Sequence, residues 1–123
     1  MSEGLLQGRR ILVVEDEYLI ADAMQIALEG AGAVVVGPAP SVRKALWLLD
    51  ADAGVDCAVL DLNLGDEKVF PVADMLQARG VPFLFTTGYD AAAVPQAWRH
   101  VRRLEKPIEV SAITRELSEC CAP

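Results

Sequence analysis

The stretch RRILVVEDEYLI, residues 9–20, decides how this chain is read. Four apolar residues, Ile11 to Val14, run without alternation and then stop against three acids, Glu15, Asp16 and Glu17. A short run that is apolar on both faces is the mark of a strand buried between two layers of helix, as in parallel sheets. Adjacent carboxylates repel one another, so a fold that gathers them at a strand end does so for a cation. Which sheet holds the strand, and what the acids hold, are settled by the rest of the chain.

The apolar run recurs. AVVVG (33–37), CAVL (57–60) and PFLF (82–85) are equally brief and rich in β-branched or aromatic residues, while a fifth run around 102–105 is more polar and suits a sheet edge. Helical periodicity lies between them, near 17–30, 41–52, 67–79, 90–99 and 109–120, with Gly30 and Gly80 as stops and Ser41 as an N-cap. Pro95 interrupts the Ala-rich segment at 90–99, which is therefore expected to be short or irregular. Five strand–helix units predict an α/β fold, a doubly wound five-stranded parallel sheet of (βα)5, flavodoxin-like form. Sheets of this class bind ligands beyond the C-terminal ends of their strands.

Composition bounds the function. A chain of 123 residues, 53% of them hydrophobic, supports one domain with a sizeable core. The net charge of −7 argues against direct nucleic-acid binding, which needs a basic face. No apolar run is long enough for membrane insertion and MSEGLLQGRR lacks the layout of a signal peptide, so a soluble cytoplasmic protein is expected. Cys57 sits inside an apolar run and Cys120 and Cys121 adjoin each other near the end; without metal-ligand spacing they read as structurally incidental. The domain is expected over 9–120, between an N-terminal tail (1–8) and a C-terminal tail (121–123), with no output domain encoded.

Polar residues cluster where the fold predicts function. Glu15 and Asp16 follow the first run, Asp61 the third, Thr87 the fourth, and Lys106 with Pro107 the fifth. In this order, ILVVEDE, VLDLNLGD, FTTGYD and EKP, the sequence resembles the receiver domain of two-component response regulators over nearly its whole length. The resemblance implies that Asp61 is a phosphoacceptor, that Glu15 and Asp16 join it in holding a divalent cation, that Thr87 and Lys106 contact the phosphoryl group, and that Lys106-Pro107 is a cis peptide.

The chemistry suits these residue types. Transfer to a carboxylate brings a negative nucleophile to a negative donor, so the site must neutralise charge and align the groups. Mg2+, or Mn2+ in its place, fits two or three carboxylates with one backbone carbonyl, that of Asn63, and retained waters. Lys106 and the Thr87 hydroxyl would bind phosphoryl oxygens, and Gly88 leaves the approach uncrowded. Asn63 and Tyr89 occupy positions that in the family influence phosphoryl lifetime. The implied function is a single-domain response regulator, no enzyme in the ordinary sense although it promotes its own phosphorylation and dephosphorylation. It would take phosphate from a sensor histidine kinase or a histidine phosphotransfer protein and act on a downstream protein target. The alternative is a receiver-like interaction module working without phosphorylation.

Other features qualify the resemblance. On the first helix Tyr18, Asp22, Gln25 and Glu29 form a polar stripe, but Leu19, Ile20, Ala23, Met24 and Ile26 widen the apolar surface beyond one core stripe, as a docking face for the phosphodonor would. Many receivers carry an aromatic three residues before the Lys; here it is Arg103. FTTGY resembles a subgroup of stand-alone receivers with a Phe-x-Thr-Gly-Tyr signature, in which Tyr89 would supply a ring. A flavin binder would need a Gly- and hydroxyl-rich loop where EDEYL stands, and an Asp-nucleophile phosphatase would have an acid at Asn63. Gly30-x-Gly32 precedes a strand and is no dinucleotide fingerprint.

Overall fold

The computed structural model describes residues 4–88 and 94–121. Five parallel strands form one sheet: β1 (Arg10–Val14), β2 (Val34–Ala39), β3 (Cys57–Asp61), β6 (Phe83–Thr87) and β7 (Arg103–Glu105), in the order β2-β1-β3-β6-β7. The helices are α1 (Tyr18–Gly30), α2 (Val42–Ala51), α3 (Phe70–Ala78) and α4 (Val110–Cys120). Two further strands, β4 (Asn63–Leu64) and β5 (Glu67–Lys68), pair as a small antiparallel hairpin after β3.

Strand alternation splits the core in two. Leu12 and Val14 of β1, Leu60 of β3 and Phe85 of β6 pack with Leu49 of α2 and Leu76 of α3. Ile11 and Val13, Val59 and Leu84 turn to the opposite face, against Met24 and Leu28 of α1 and Ile113 and Leu117 of α4. The inner strands are buried on both sides, which is why they read as unbroken apolar runs. Polar β7 lies at the edge, as its composition predicts. The chain leaves β1 through α1 toward β2 but leaves β3 through α3 toward β6, in the opposite direction, so a crevice opens where the C-terminal ends of β1 and β3 diverge.

The Ser41 hydroxyl accepts from Lys44 N–H at 3.1 Å, making the predicted N-cap. Elsewhere the sequence expectations need correction. The segment expected as a tail over 1–8 is turn structure from Gly4 onward: Leu6 is buried and its N–H donates to Ala31 O at 2.9 Å. Gly32, at φ 95°, lets that turn approach, since a Cβ there would stand 2.9 Å from Gln7 Cα. Nor is Cys121 a free tail residue. It is buried and disulfide-bonded to Cys57, with Cα atoms 6.0 Å apart, so these two cysteines are not incidental.

Of the helix expected at 90–99, residues 90–93 lie outside the described residues. The remainder is a 3-10 turn, Gln96–Trp98, following Pro95. Proline supplies no N–H for an α-helical bond, and buried Trp98 stacks on Phe70 at 6.0 Å and meets Phe85 edge-on at 6.3 Å. These aromatic contacts hold the described part of the segment, from Val94 on, to a single short turn. Helix α3 begins at Phe70 rather than near 67 because Glu67 and Lys68 are used in the hairpin.

Candidate functional site

The divergence of β1 and β3 brings the predicted strand-end residues to one rim. The sheet ladder continues past the strands: Glu15 N–H donates to Ala39 O, Leu62 N–H to Thr86 O, and Lys106 N–H to Thr87 O, at 3.0, 3.0 and 2.8 Å. The backbone beside each functional side chain is thereby held by the sheet.

Asp61 is buried at 4% exposure, and both its oxygens are engaged. Lys106 Nζ donates to Oδ2 at 2.9 Å, and Asn63 N–H donates to Oδ1 at 3.1 Å. The same ammonium lies 3.1 Å from Glu15 Oε1 and 3.3 Å from Oε2, and Glu17 N–H donates to Oε2 at 3.1 Å. Burial pushes the Glu15 carboxyl up to about 7, with the hydrogen bond and charge of Asp61 adding to it. For Lys106 burial acts downward, but the hydrogen bond and charge of Asp61 outweigh it and the ammonium is held above its usual range.

Asp16 is exposed beside this pair. One oxygen each from Glu15, Asp16 and Asp61 lie within 4.8 Å of one another, a spacing able to hold a cation. The donor set is all hard oxygen, and it faces an open cleft of about 740 Å3 lined by Asp16, Asp61, Asn63, Gly88, Lys106 and Pro107 among others, with space for waters on the ion. The three carboxylates fit a hard divalent ion.

The remaining predicted residues divide. Lys106-Pro107 is cis, as the resemblance implies, and so is Gly37-Pro38, which was not expected. Gly88 lines the cleft, and a Cβ there would meet nothing within 4 Å among the described residues. The Thr87 side chain does not line it: Thr87 is fully buried and its Oγ1 has no hydrogen-bond partner among the described residues. Tyr89 lies outside the described residues. Arg103 is exposed on the edge strand and donates to the carbonyls of Arg99 and Val101 at 3.2 and 3.5 Å.

Sequence reading missed Lys68, whose Nζ donates to Asn63 Oδ1 at 2.7 Å across the hairpin. The signal was the LGDE turn, with glycine at the first central position of a two-residue hairpin. Beside the cleft lies a second, apolar hollow of about 250 Å3 between α1 and α4, walled by Leu19, Ala23, Met24 and Ile113 and reaching Lys106 and Pro107. Leu19 and Ile26 of α1 are 81% and 64% exposed, so the broad apolar surface of this helix is only partly buried.

Comparison with known proteins agrees with this geometry. A family model described as response regulator receiver domain matches residues 11–118. Sensory transduction protein LytT of Bacillus cereus is 34% identical over 88 residues, covering 69% of this chain and 35% of that protein. Phyllosphere-induced regulator PhyR of Methylorubrum extorquens is 32% identical over 81 residues, covering 64% and 30%. The chain thus spans about a third of the length of these curated relatives. The solution structure of SdrG from Sphingomonas melonis Fr1 is 38% identical, with a TM-score of 0.79 over 90% of this chain and 94% of that one.

Proposed function

The chain belongs to the response regulator receiver domain family, and from that premise we propose that it accepts a phosphoryl group on Asp61 from a phosphohistidine donor. The observation that carries this reading is the convergence on Asp61 of one ammonium, Lys106 at 2.9 Å, and two further carboxylates, Glu15 and Asp16, in an open cleft.

In the step, an Asp61 oxygen attacks phosphorus in line. The P–N bond to the donor imidazole breaks, and its electron pair leaves on the imidazole nitrogen, which is then protonated. Glu15, Asp16 and Asp61, with the Asn63 backbone carbonyl, would hold Mg2+, or Mn2+ in its place. Bound there, the ion would supply positive charge to offset that of donor and acceptor. Lys106 is already at the carboxylate and has only to follow the charge onto a phosphoryl oxygen. The Thr87 hydroxyl, without a partner among the described residues, would gain an acceptor by turning toward the new anion, which would shift Gly88 and the segment after it, and so alter the surface offered to a downstream protein target.

The donor, a sensor histidine kinase or a histidine phosphotransfer protein, docks on the hollow between α1 and α4. Its apolar wall opens beside Lys106 and Pro107, and exposed Leu19 stands at its edge. This reading assigns the protein to the cytoplasm, without direct nucleic-acid contact. Among the described residues no helix is long and apolar enough to cross a membrane.

The test is labelling of the full chain by acetyl phosphate and Mg2+. The wild type should acquire one acyl phosphate, labile to acid and base, and Asp61→Asn should acquire none. Equal labelling of the two would remove Asp61 from the role.

A further inference from the structure

We propose that Lys68 prolongs the phosphorylated state by occupying the side-chain oxygen of Asn63, an inference that rests on phosphorylation of Asp61. Asn63 is two residues beyond Asp61, its N–H bonds Asp61 Oδ1 at 3.1 Å, and it lines the cleft. Asn63 thus stands in the same cleft as the carboxylate that reacts. The Asn63 carboxamide is already engaged, because Lys68 Nζ donates to Oδ1 at 2.7 Å. An ammonium has no acceptor, so the carboxamide atom facing it is oxygen.

The contact is built into the backbone. Asn63 and Lys68 are directly opposed in the hairpin, and Gly65, at φ 62°, supplies the turn between the two strands. Buried Leu64 anchors one strand, while Glu67 Oε1 accepts from Val42 N–H at 3.3 Å and fastens the other to the start of α2. Neither attachment involves the Lys68 side chain. Shortening it should leave the hairpin in place.

Acyl-phosphate hydrolysis is attack of a water oxygen on phosphorus. The P–O bond to Asp61 breaks, its electron pair returns to the carboxylate, and the water's proton passes to solvent. Attack is helped by an acceptor that orients the water. Oδ1 is the only acceptor on the Asn63 side chain, and an oxygen committed to an ammonium is a poorer acceptor for water. Lys68 is thus a positioning residue acting through Asn63.

The experiment labels the full chain with acetyl phosphate and Mg2+, removes the donor, and follows loss of phosphate in wild type, Lys68→Met, Lys68→Arg, Asn63→Ala and the double variant Lys68→Met/Asn63→Ala. Lys68→Met should lose phosphate about fivefold faster, the order set by one hydrogen bond of ordinary strength, and Lys68→Arg should restore the wild-type lifetime. The double variant should match Asn63→Ala. An unchanged or longer lifetime in Lys68→Met overturns the inference, as does an equal acceleration in the Asn63→Ala background, which would assign the effect to the field of the ammonium. Failure of the wild type to label overturns the Asp61 reading and this inference with it, whereas labelling with equal lifetimes overturns this inference alone.

Discussion

Lys106 and Asp61, 45 residues apart in the chain, meet at 2.9 Å, and the same ammonium touches Glu15, 91 residues away. Two buried carboxylates thus share one counter-charge, while the third, Asp16, faces the cleft. An arriving cation would find one exposed oxygen donor and two that are already partly neutralised.

This division predicts separable behaviour. Asp16→Ala removes an exposed side chain and should leave folding intact, while Mg2+ affinity falls at least tenfold, an order set by the small number of protein ligands that Mg2+ takes. Isothermal titration calorimetry with Mg2+ checks it, and unchanged affinity would exclude Asp16 as a ligand.

A pH prediction follows from Glu15, whose folded carboxyl is pushed up to about 7 from an ordinary 4.5. The folded state binds this proton more tightly than the unfolded one, so unfolding releases it between those values and stability falls as pH rises through the window. Lys106, held above its usual range, stays charged throughout and adds no slope there. Thermal melts in EDTA should drop by several degrees, about 4 °C per kcal/mol for a domain of this size, between pH 5 and 7.5. Glu15→Gln should flatten the trend, and Mg2+ at pH 7.5 should recover stability.

Thr87 offers a test of signal output. Its hydroxyl is buried without a partner among the described residues, so beryllofluoride with Mg2+ should shift the amide resonances of Thr87, Gly88 and residues 94–99. Thr87→Ala should keep the changes at Asp61 and lose most of those at 94–99. Shifts confined to Glu15, Asp16, Asp61 and their neighbours would show that this segment is not the switch.

The Cys57–Cys121 bond closes a separation of 64 residues. Reduction should lower unfolding free energy by about 2–4 kcal/mol, the usual range for a cross-link of this kind. Urea denaturation with and without dithiothreitol measures it, and Cys57→Ala should abolish the difference.

How far these features are legible before folding depends on their range. β1, β3 and β6 are legible because both faces are buried, and Ser41 is legible as a cap because its bond to Lys44 spans three residues. Glu15, Asp16, Asp61 and Lys106 are legible as strand-end residues once the sheet is inferred. The sharing of Lys106 between two acids is not, since no local pattern links positions so far apart. The hairpin holding Asn63 and Lys68 has two-residue strands, too short to show a period, and only its glycine turn gives a signal. Leu6 and Cys121 were hidden for another reason: isolated apolar residues near a chain end look like tail until a groove receives them. Trp98 reverses the lesson of Ser41, because its contacts with Phe70 and Phe85 come from distant parts of the chain and no local pattern announces them.

The ladder bonds that run past β1, β3 and β7 make Glu15, Asp61 and Lys106 passengers of their strands. The gap between Asp61 and Lys106 is therefore a difference in height between strands, set by how the side chains beneath them mesh. Val59, Leu84 and Ile113, buried in the core and away from the cleft lining, would act as shims. Adding or deleting a methyl group there would tilt one strand against the next and retune the chemistry at the rim, without altering any residue that a phosphoryl group would touch.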